Sequence, residues 1–140
     1  MKAYFSRRYR FSASHRLHND AYSEQENREI YGKCNNPHGH GHNYILEVTA
    51  AGQIDPQTGM VCDMAKLDQA VRKKVIDRFD HTNLNLDASF RNLVPTTENL
   101  CIEIHQNLLP VFASGELGQA MLARVRIEET ENNFFEYAGI

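Results

Sequence analysis

The chain has 140 residues and a formal net charge of −3, with 41% hydrophobic and 24% charged residues. This length and composition predict a single soluble globular domain over residues 1–140. The acidic balance gives no basic surface for nucleic acid, and no apolar run approaches the ~18 residues of a membrane span. Without an apolar signal segment or a disulfide framework among Cys34, Cys62 and Cys101, we expect a cytoplasmic protein.

The first predicted element is a β-strand over residues 4–17. Its apolar residues and His15 share one parity, whereas most of its arginines and serines fall on the other. Arg7 is the exception, since it falls on the apolar side. Residues 18–33 are polar and charged, which predicts a loop or a short helix that ends at Gly32.

A second strand is predicted over residues 42–48, where polar and apolar residues again alternate. The turn signal at 55–59 and the apolar run at 60–62 predict that this strand returns as a hairpin. Asp63 is typical of a helix N-cap. The helix after it is amphipathic, because apolar residues recur at four-residue intervals: Leu67, Val71, Val75 and Phe79.

The second half of the chain contains the signals of one further helix and two further strands. A polar loop at 80–95 precedes a second helix, which residues 95–98 open, and a third long strand is predicted at 124–129. A turn then leads residues 134–137 back as a hairpin. The order of elements predicts an α+β fold in which two helices cover one face of an antiparallel sheet.

Residues 34–42 place one thiol and three imidazoles within nine positions of a chain that holds seven histidines. Histidines at i and i+2 of a strand project to one face, and His15 lies on the apolar face of the first strand. His15, His40 and His42 are therefore candidate ligands of an open catalytic site, for which zinc is the favoured metal. His38 shares this parity, but a proline directly before it favours a loop position.

Three further groups of residues carry candidate chemistry. Cys34 is either a base or nucleophile whose thiolate a nearby dication favours, or a fourth zinc ligand in a closed structural site. Asp80 and His81 form either a general acid–base pair or a helix cap. Glu129 has the parity of buried residues, so it is either a carboxylate that binds N–H donors of a ligand or a solvated residue beyond the strand.

The chain resembles the 6-pyruvoyl-tetrahydropterin synthase family from about residue 5 to the C-terminus. The resemblance is carried by ordered blocks at 11–17, 32–37, 39–44, 55–61, 80–84, 96–99 and 129–130. It implies the tunnelling fold (T-fold), a four-stranded antiparallel sheet with two helices packed on one face. It also implies trimers that close into a barrel and pair as a homohexamer, a dimer of trimers with intersubunit sites.

By motif position, the resemblance implies three sets of site residues. They are the zinc ligands His15, His40 and His42, the catalytic residues Cys34, Asp80 and His81, and the substrate-binding residues Thr97, Glu98 and Glu129. In this scheme Zn²⁺ acidifies C–H protons of the substrate, Cys34 removes such a proton, and His81 relays it with Asp80.

The activity that the resemblance implies is that of a carbon–oxygen lyase. It converts 7,8-dihydroneopterin triphosphate to 6-pyruvoyl-tetrahydropterin, with loss of triphosphate, in tetrahydrobiopterin synthesis. The five residues between Cys34 and His40 resemble this branch, whereas 6-carboxy-tetrahydropterin synthases of queuosine synthesis have a shorter spacer. That carboxy activity is the alternative, and a non-catalytic zinc-stabilised binding module is a third hypothesis.

Overall fold

The computed structural model describes residues 1–139. Its strands are β1 (Lys2–His15), β2 (His40–Gln53), β3 (Thr82–Asn83), β4 (Met121–Thr130) and β5 (Asn133–Tyr137). Its α-helices are α1 (Glu24–Tyr31), α2 (Met64–Val71), α3 (Asp77–Phe79) and α4 (Thr97–Ala113). A π-helical turn over Arg72–Ile76 joins α2 to α3 as one continuous segment. Within residues 1–139, no helix is both long and apolar enough to cross a bilayer.

The five strands form one mixed sheet in the order β3-β1-β2-β4-β5. The pairs β1–β2, β2–β4 and β4–β5 are antiparallel, as expected, but β3 runs parallel to β1. The sheet thus contains the expected four antiparallel strands and one additional, parallel strand. The additional strand, β3, has two residues, too few for an alternation to appear in the sequence.

A short helix, α1, forms within the polar segment 18–33 and has Gly32 as its C-cap, which confirms the short helix that the sequence offered as the alternative to a loop. It is an additional helix beside the expected pair. Ser23 caps α1 through a reciprocal capping box with Glu26. The only buried residue of α1 is Asn27, so this helix lacks the apolar stripe that identified the other two. Capping residues, and not hydrophobic periodicity, were the sequence signal for it.

The hairpin predicted at 60–62 is wrong. The turn at 55–59 does form, and the Asp55 amide donates to the Met60 carbonyl at 3.0 Å, but residues 60–62 are not a strand. β2 already pairs with β1 on one edge and with β4 on the other, so it offers no free edge to a returning segment. The segment leads instead to Asp63, whose side chain accepts from the Lys66 amide and caps α2 as expected.

The core lies between the inner face of the sheet and the two long helical segments. The stripe predicted from the sequence is fully buried: Leu67, Val71, Val75 and Phe79 each have 0% exposure. It packs with Phe11 and Tyr44, an inner-face pair whose rings stack at 5.1 Å. Arg7 interrupts the alternation of β1 because its Nε and Nη2 atoms donate to the Asp68 carboxylate of α2, each at 3.0 Å.

Replacing Phe79 by alanine is expected to lower the free energy of unfolding by about 3–5 kcal/mol, because a buried aromatic side chain is lost and a cavity remains. The Phe79 ring lies 6.4 Å from Phe11 and 6.5 Å from Phe90, measured between centroids. Urea unfolding measures the change. Lys73→Ala, on the exposed side of the same segment, is the control and should change stability by less than about 0.5 kcal/mol. Equal effects of the two substitutions would contradict the assigned helix face.

Candidate functional site

The β1–β2 register brings the three predicted histidines to one end of the inner sheet face. His15 lies opposite His40, and Ala13 lies opposite His42. The three ring centroids are 4.6, 4.8 and 5.2 Å apart. One ring nitrogen from each histidine falls in a group whose members lie within 4.8 Å of one another. His38 is exposed and outside this group.

The donor atoms of this histidine cluster fit a metal cation. The His15 Nδ1 lies 2.7 Å from the Pro95 carbonyl oxygen, to which it donates in the neutral ring, and this leaves a lone pair on Nε2. The Nε2 atoms of His15 and His40 are 3.0 Å apart, and the His42 Nε2 is buried without a hydrogen-bond partner. Burial lowers the pKa of His15, which favours the neutral form that binds metals.

Close backbone approach beside the cluster requires a glycine at position 39. Gly39 has φ of +74°, and a Cβ atom there would lie 3.0 Å from the His15 carbonyl oxygen. A side chain would therefore strain the backbone and push β2 away from the end of β1. This glycine helps to keep His40 within reach of His15.

Glu129, near the end of β4, faces the same cluster. Its side chain is 19% exposed, and its Oε2 atom lies 4.0 Å from the His42 Nε2. The Thr97 hydroxyl donates to Oε2, and the Asn133 amide donates to Oε1 at 3.3 Å. Burial acts to raise the pKa of Glu129, but these hydrogen bonds and the nearby histidines outweigh it, so the pKa is lowered. The site thus holds a half-buried carboxylate that is ionised at neutral pH.

The other two predicted substrate-binding residues have different environments. Thr97, the first residue of α4, is 2% exposed and directs its hydroxyl to Glu129. Glu98 is exposed in the same helical turn. Sequence reasoning missed Asn133, which was interpreted only as a turn residue, and the Pro95 carbonyl, a backbone group without a sequence signal.

Cys34 lies in a short 3₁₀ turn, Gly32–Asn35, which residues 36–39 connect to β2. The Leu17 amide donates to the Cys34 carbonyl at 2.9 Å, which ties this turn to the chain just beyond β1. The thiol is half-buried, and burial followed by the charge of Glu129 raises its pKa. Within residues 1–139, the converging metal-donor group is His15, His40 and His42, without sulfur.

Asp80 and His81 do form a pair, but on the other side of the sheet. The Asp80 Oδ1 accepts from the Ser12 amide at 2.9 Å and lies 3.0 Å from the His81 Nδ1. The Ser12 amide, more than His81, lowers the pKa of Asp80. The His81 side chain is 83% exposed and lines a cavity with Ser12 and Asn43, whose side chains point away from the helices. The lining of this cavity also includes His42 but not Cys34.

Comparison with known proteins identifies the family. A family model described as 6-pyruvoyl tetrahydropterin synthase matches residues 4–139. The chain belongs to this family. The 6-pyruvoyl tetrahydrobiopterin synthase of Homo sapiens is 45% identical over 139 residues, which cover 99% of this chain and 92% of that protein.

Within the family, the similarity extends to the complete architecture. The structure of the Caenorhabditis elegans 6-pyruvoyl tetrahydropterin synthase matches with a TM-score of 0.91 and 42% identity, covering 100% of this chain and 97% of that one. A putative 6-carboxy-5,6,7,8-tetrahydropterin synthase of Archaeoglobus fulgidus is 36% identical over 97 residues, 69% of this chain and 73% of that protein. The family and the α+β fold expected from the sequence are confirmed.

Proposed function

We propose that this protein is a zinc-dependent lyase that converts 7,8-dihydroneopterin triphosphate to 6-pyruvoyl-tetrahydropterin, with loss of triphosphate. The observation that carries the proposal is the shared site of the histidine cluster and Glu129, in which the His42 Nε2 and the Glu129 Oε2 are 4.0 Å apart. A metal position beside an ionised carboxylate suits a substrate with both hydroxyl groups and N–H donors. Whole-length similarity to the human synthase supports the same activity.

The histidine cluster is proposed to hold Zn²⁺ through the Nε2 atoms. Bound there, zinc would polarise substrate hydroxyl oxygens and make neighbouring C–H groups more acidic. The Pro95 carbonyl fixes the ring of His15 by accepting from its Nδ1. Three protein ligands leave a position open, as catalytic zinc sites require.

Glu129 is proposed to anchor the pterin ring. A pterin presents two adjacent N–H donors along one edge, and an ionised carboxylate accepts both in a bidentate pair. Thr97 and Asn133 hold the carboxylate in place and keep it charged. Glu98, exposed in the first turn of α4, is assigned to the rim of the same pocket.

Cys34 is proposed to remove the proton from the substrate carbon, and His81 with Asp80 is proposed to relay it. Because His81 is exposed on the outer sheet face, we infer that it serves Cys34 of a neighbouring subunit. Two free strand edges support such assembly: β5 has no partner on its outer side within residues 1–139, and β1 pairs with β3 only at residues 13–14. Pairing of these edges would close a trimeric barrel, and two barrels would form the homohexamer.

The product decides between the proposed function and its alternatives. Purified zinc-loaded protein is incubated with 7,8-dihydroneopterin triphosphate, and the pterin formed is identified by mass spectrometry. We expect 6-pyruvoyl-tetrahydropterin and free triphosphate. A 6-carboxy product would overturn the proposal in favour of the carboxy synthase activity. Absence of any product, with unfolding when zinc is chelated, would identify a zinc-stabilised binding module instead.

A further inference from the structure

A basic cavity of about 480 Å³ lies beside the turn that carries Cys34. Arg16, Arg28 and Lys33 line it, together with Glu24, Asn35 and Pro37. Three cationic side chains and one acidic side chain give this cavity a net positive lining, whereas the whole chain has a net charge of −3. The positive lining is therefore a local feature and does not follow from the overall composition.

Arg16 is fixed in this cavity at both its backbone and its side chain. Its amide donates to Asn85 Oδ1 at 2.7 Å, and the Asn85 side-chain amide donates back to the Arg16 carbonyl at 2.9 Å. The Arg16 Nε donates to the Asn35 carbonyl at 3.2 Å. Asn35 is itself 5% exposed and donates to the Leu17 carbonyl at 2.8 Å. This framework holds the guanidinium before any ligand arrives.

The outer nitrogens of Arg16 remain available. Within residues 1–139, no salt bridge involves Arg16, Arg28 or Lys33. A guanidinium that is held through Nε, with both Nη groups unpaired to carboxylate, is suited to bidentate binding of a phosphate. The cavity thus offers cations that the fold does not neutralise.

A second cavity shares part of its lining with the basic cavity and includes one residue of the histidine cluster, His15. It has a volume of about 280 Å³, is lined by His15 and Gly39, and shares Arg16 and Pro37 with the basic cavity. Arg16 directly follows His15 in sequence, so the metal ligand and the cation lie at the same end of β1. A substrate whose carbon chain reaches the histidines can therefore extend its tail past Arg16.

We infer that the basic cavity binds the triphosphate tail of the substrate, with Arg16 as its principal contact and Lys33 and Arg28 further along. The inference rests on the proposed function, which supplies the substrate. In the elimination, Cys34 takes a proton from carbon while the neighbouring C–O bond breaks, and the bonding electrons leave with the triphosphate oxygen. Cations around the leaving group stabilise the charge that develops there. No oxidant or reductant is consumed.

Calorimetric titration of zinc-loaded protein with inorganic triphosphate tests this inference. We expect Arg16→Gln to weaken binding of inorganic triphosphate by at least ~10-fold, as the loss of a charge-assisted hydrogen bond predicts. Lys73→Gln removes the same charge from an exposed site outside the cavity and should leave the affinity within about twofold. Zinc content and the melting temperature of each variant verify that the fold and the metal site persist.

Two ligands, one with and one without the triphosphate, distinguish binding of the tail from binding of the pterin ring. Arg16→Gln should raise the KM for dihydroneopterin triphosphate by a similar factor, while the affinity for dihydroneopterin without phosphates stays unchanged. Equal triphosphate affinity in Arg16→Gln and the unmodified protein, or equal losses in Arg16→Gln and Lys73→Gln, would overturn the inference. Tight binding of triphosphate by a protein that forms no pyruvoyl product would instead contradict the proposed function, while the assignment of the anion site would stand.

Discussion

Replacing Cys34 by alanine is expected to reduce turnover by roughly 10²–10⁴-fold, the range that a general base contributes. Zinc content should stay the same, because the converging metal donors within residues 1–139 are His15, His40 and His42. Product formation is followed by mass spectrometry, and zinc is measured by elemental analysis of the same preparation. The two readouts separate a catalytic thiol from a metal ligand.

The control for this substitution is Cys62→Ala. Cys62 is a free thiol that is 6% exposed and lies directly before α2, away from the histidine cluster. Its removal should leave turnover and zinc content unchanged. Full activity in Cys34→Ala would refute the catalytic assignment, and loss of zinc in that variant would favour the closed structural site.

Mixing variants tests whether sites are shared between subunits. Cys34→Ala and His81→Ala are each expected to be inactive alone. In co-expressed mixed oligomers, a site that combines Cys34 from one subunit with His81 from another is intact in roughly a quarter of random pairings. Recovery of activity near that fraction would support the intersubunit assignment. Mixed oligomers without recovered activity would place both groups in one subunit, against the exposed position of His81 in the protomer.

Replacing His42 by alanine is expected to weaken zinc binding on the order of 100-fold or more, with loss of turnover. The reason is that His42 contributes one of three converging donors, and its Nε2 has no alternative partner in the fold. Competition with a chromogenic chelator measures the zinc affinity. Thermal unfolding of the metal-free proteins verifies that the sheet persists, since His42 lies outside the main hydrophobic cluster.

His38→Ala is the matched control for the histidine prediction. His38 is four residues away on the same parity, but it is exposed and outside the donor group. Its substitution should leave zinc affinity and turnover unchanged. If His38→Ala loses zinc while His42→Ala retains it, the strand register that defines this site is incorrect.

The amino-acid sequence determined the elements that repeat a local pattern. Alternation placed His15 on the buried face of β1 and Glu129 with the inner residues of β4, since side chains of a strand alternate with a period of two. The same argument identified the buried stripe of the α2–α3 segment. These patterns need only neighbouring residues, so they can be detected without knowing where the chain folds back.

The tertiary structure decided everything that depends on pairing across the chain. The register that sets His15 opposite His40, the parallel strand β3 and the missing hairpin at 60–62 each depend on which strand edges are occupied. The carbonyl of Pro95 reaches His15 across 80 residues. His81 illustrates the limit most clearly. Its sequence neighbour Asp80 lies 3.0 Å from its ring, but its position beside β1 depends on the hydrogen bonds that Asp80 and His81 form with the backbone of Ser12. Contacts between distant segments leave no local period in a sequence, and folding alone brings them together.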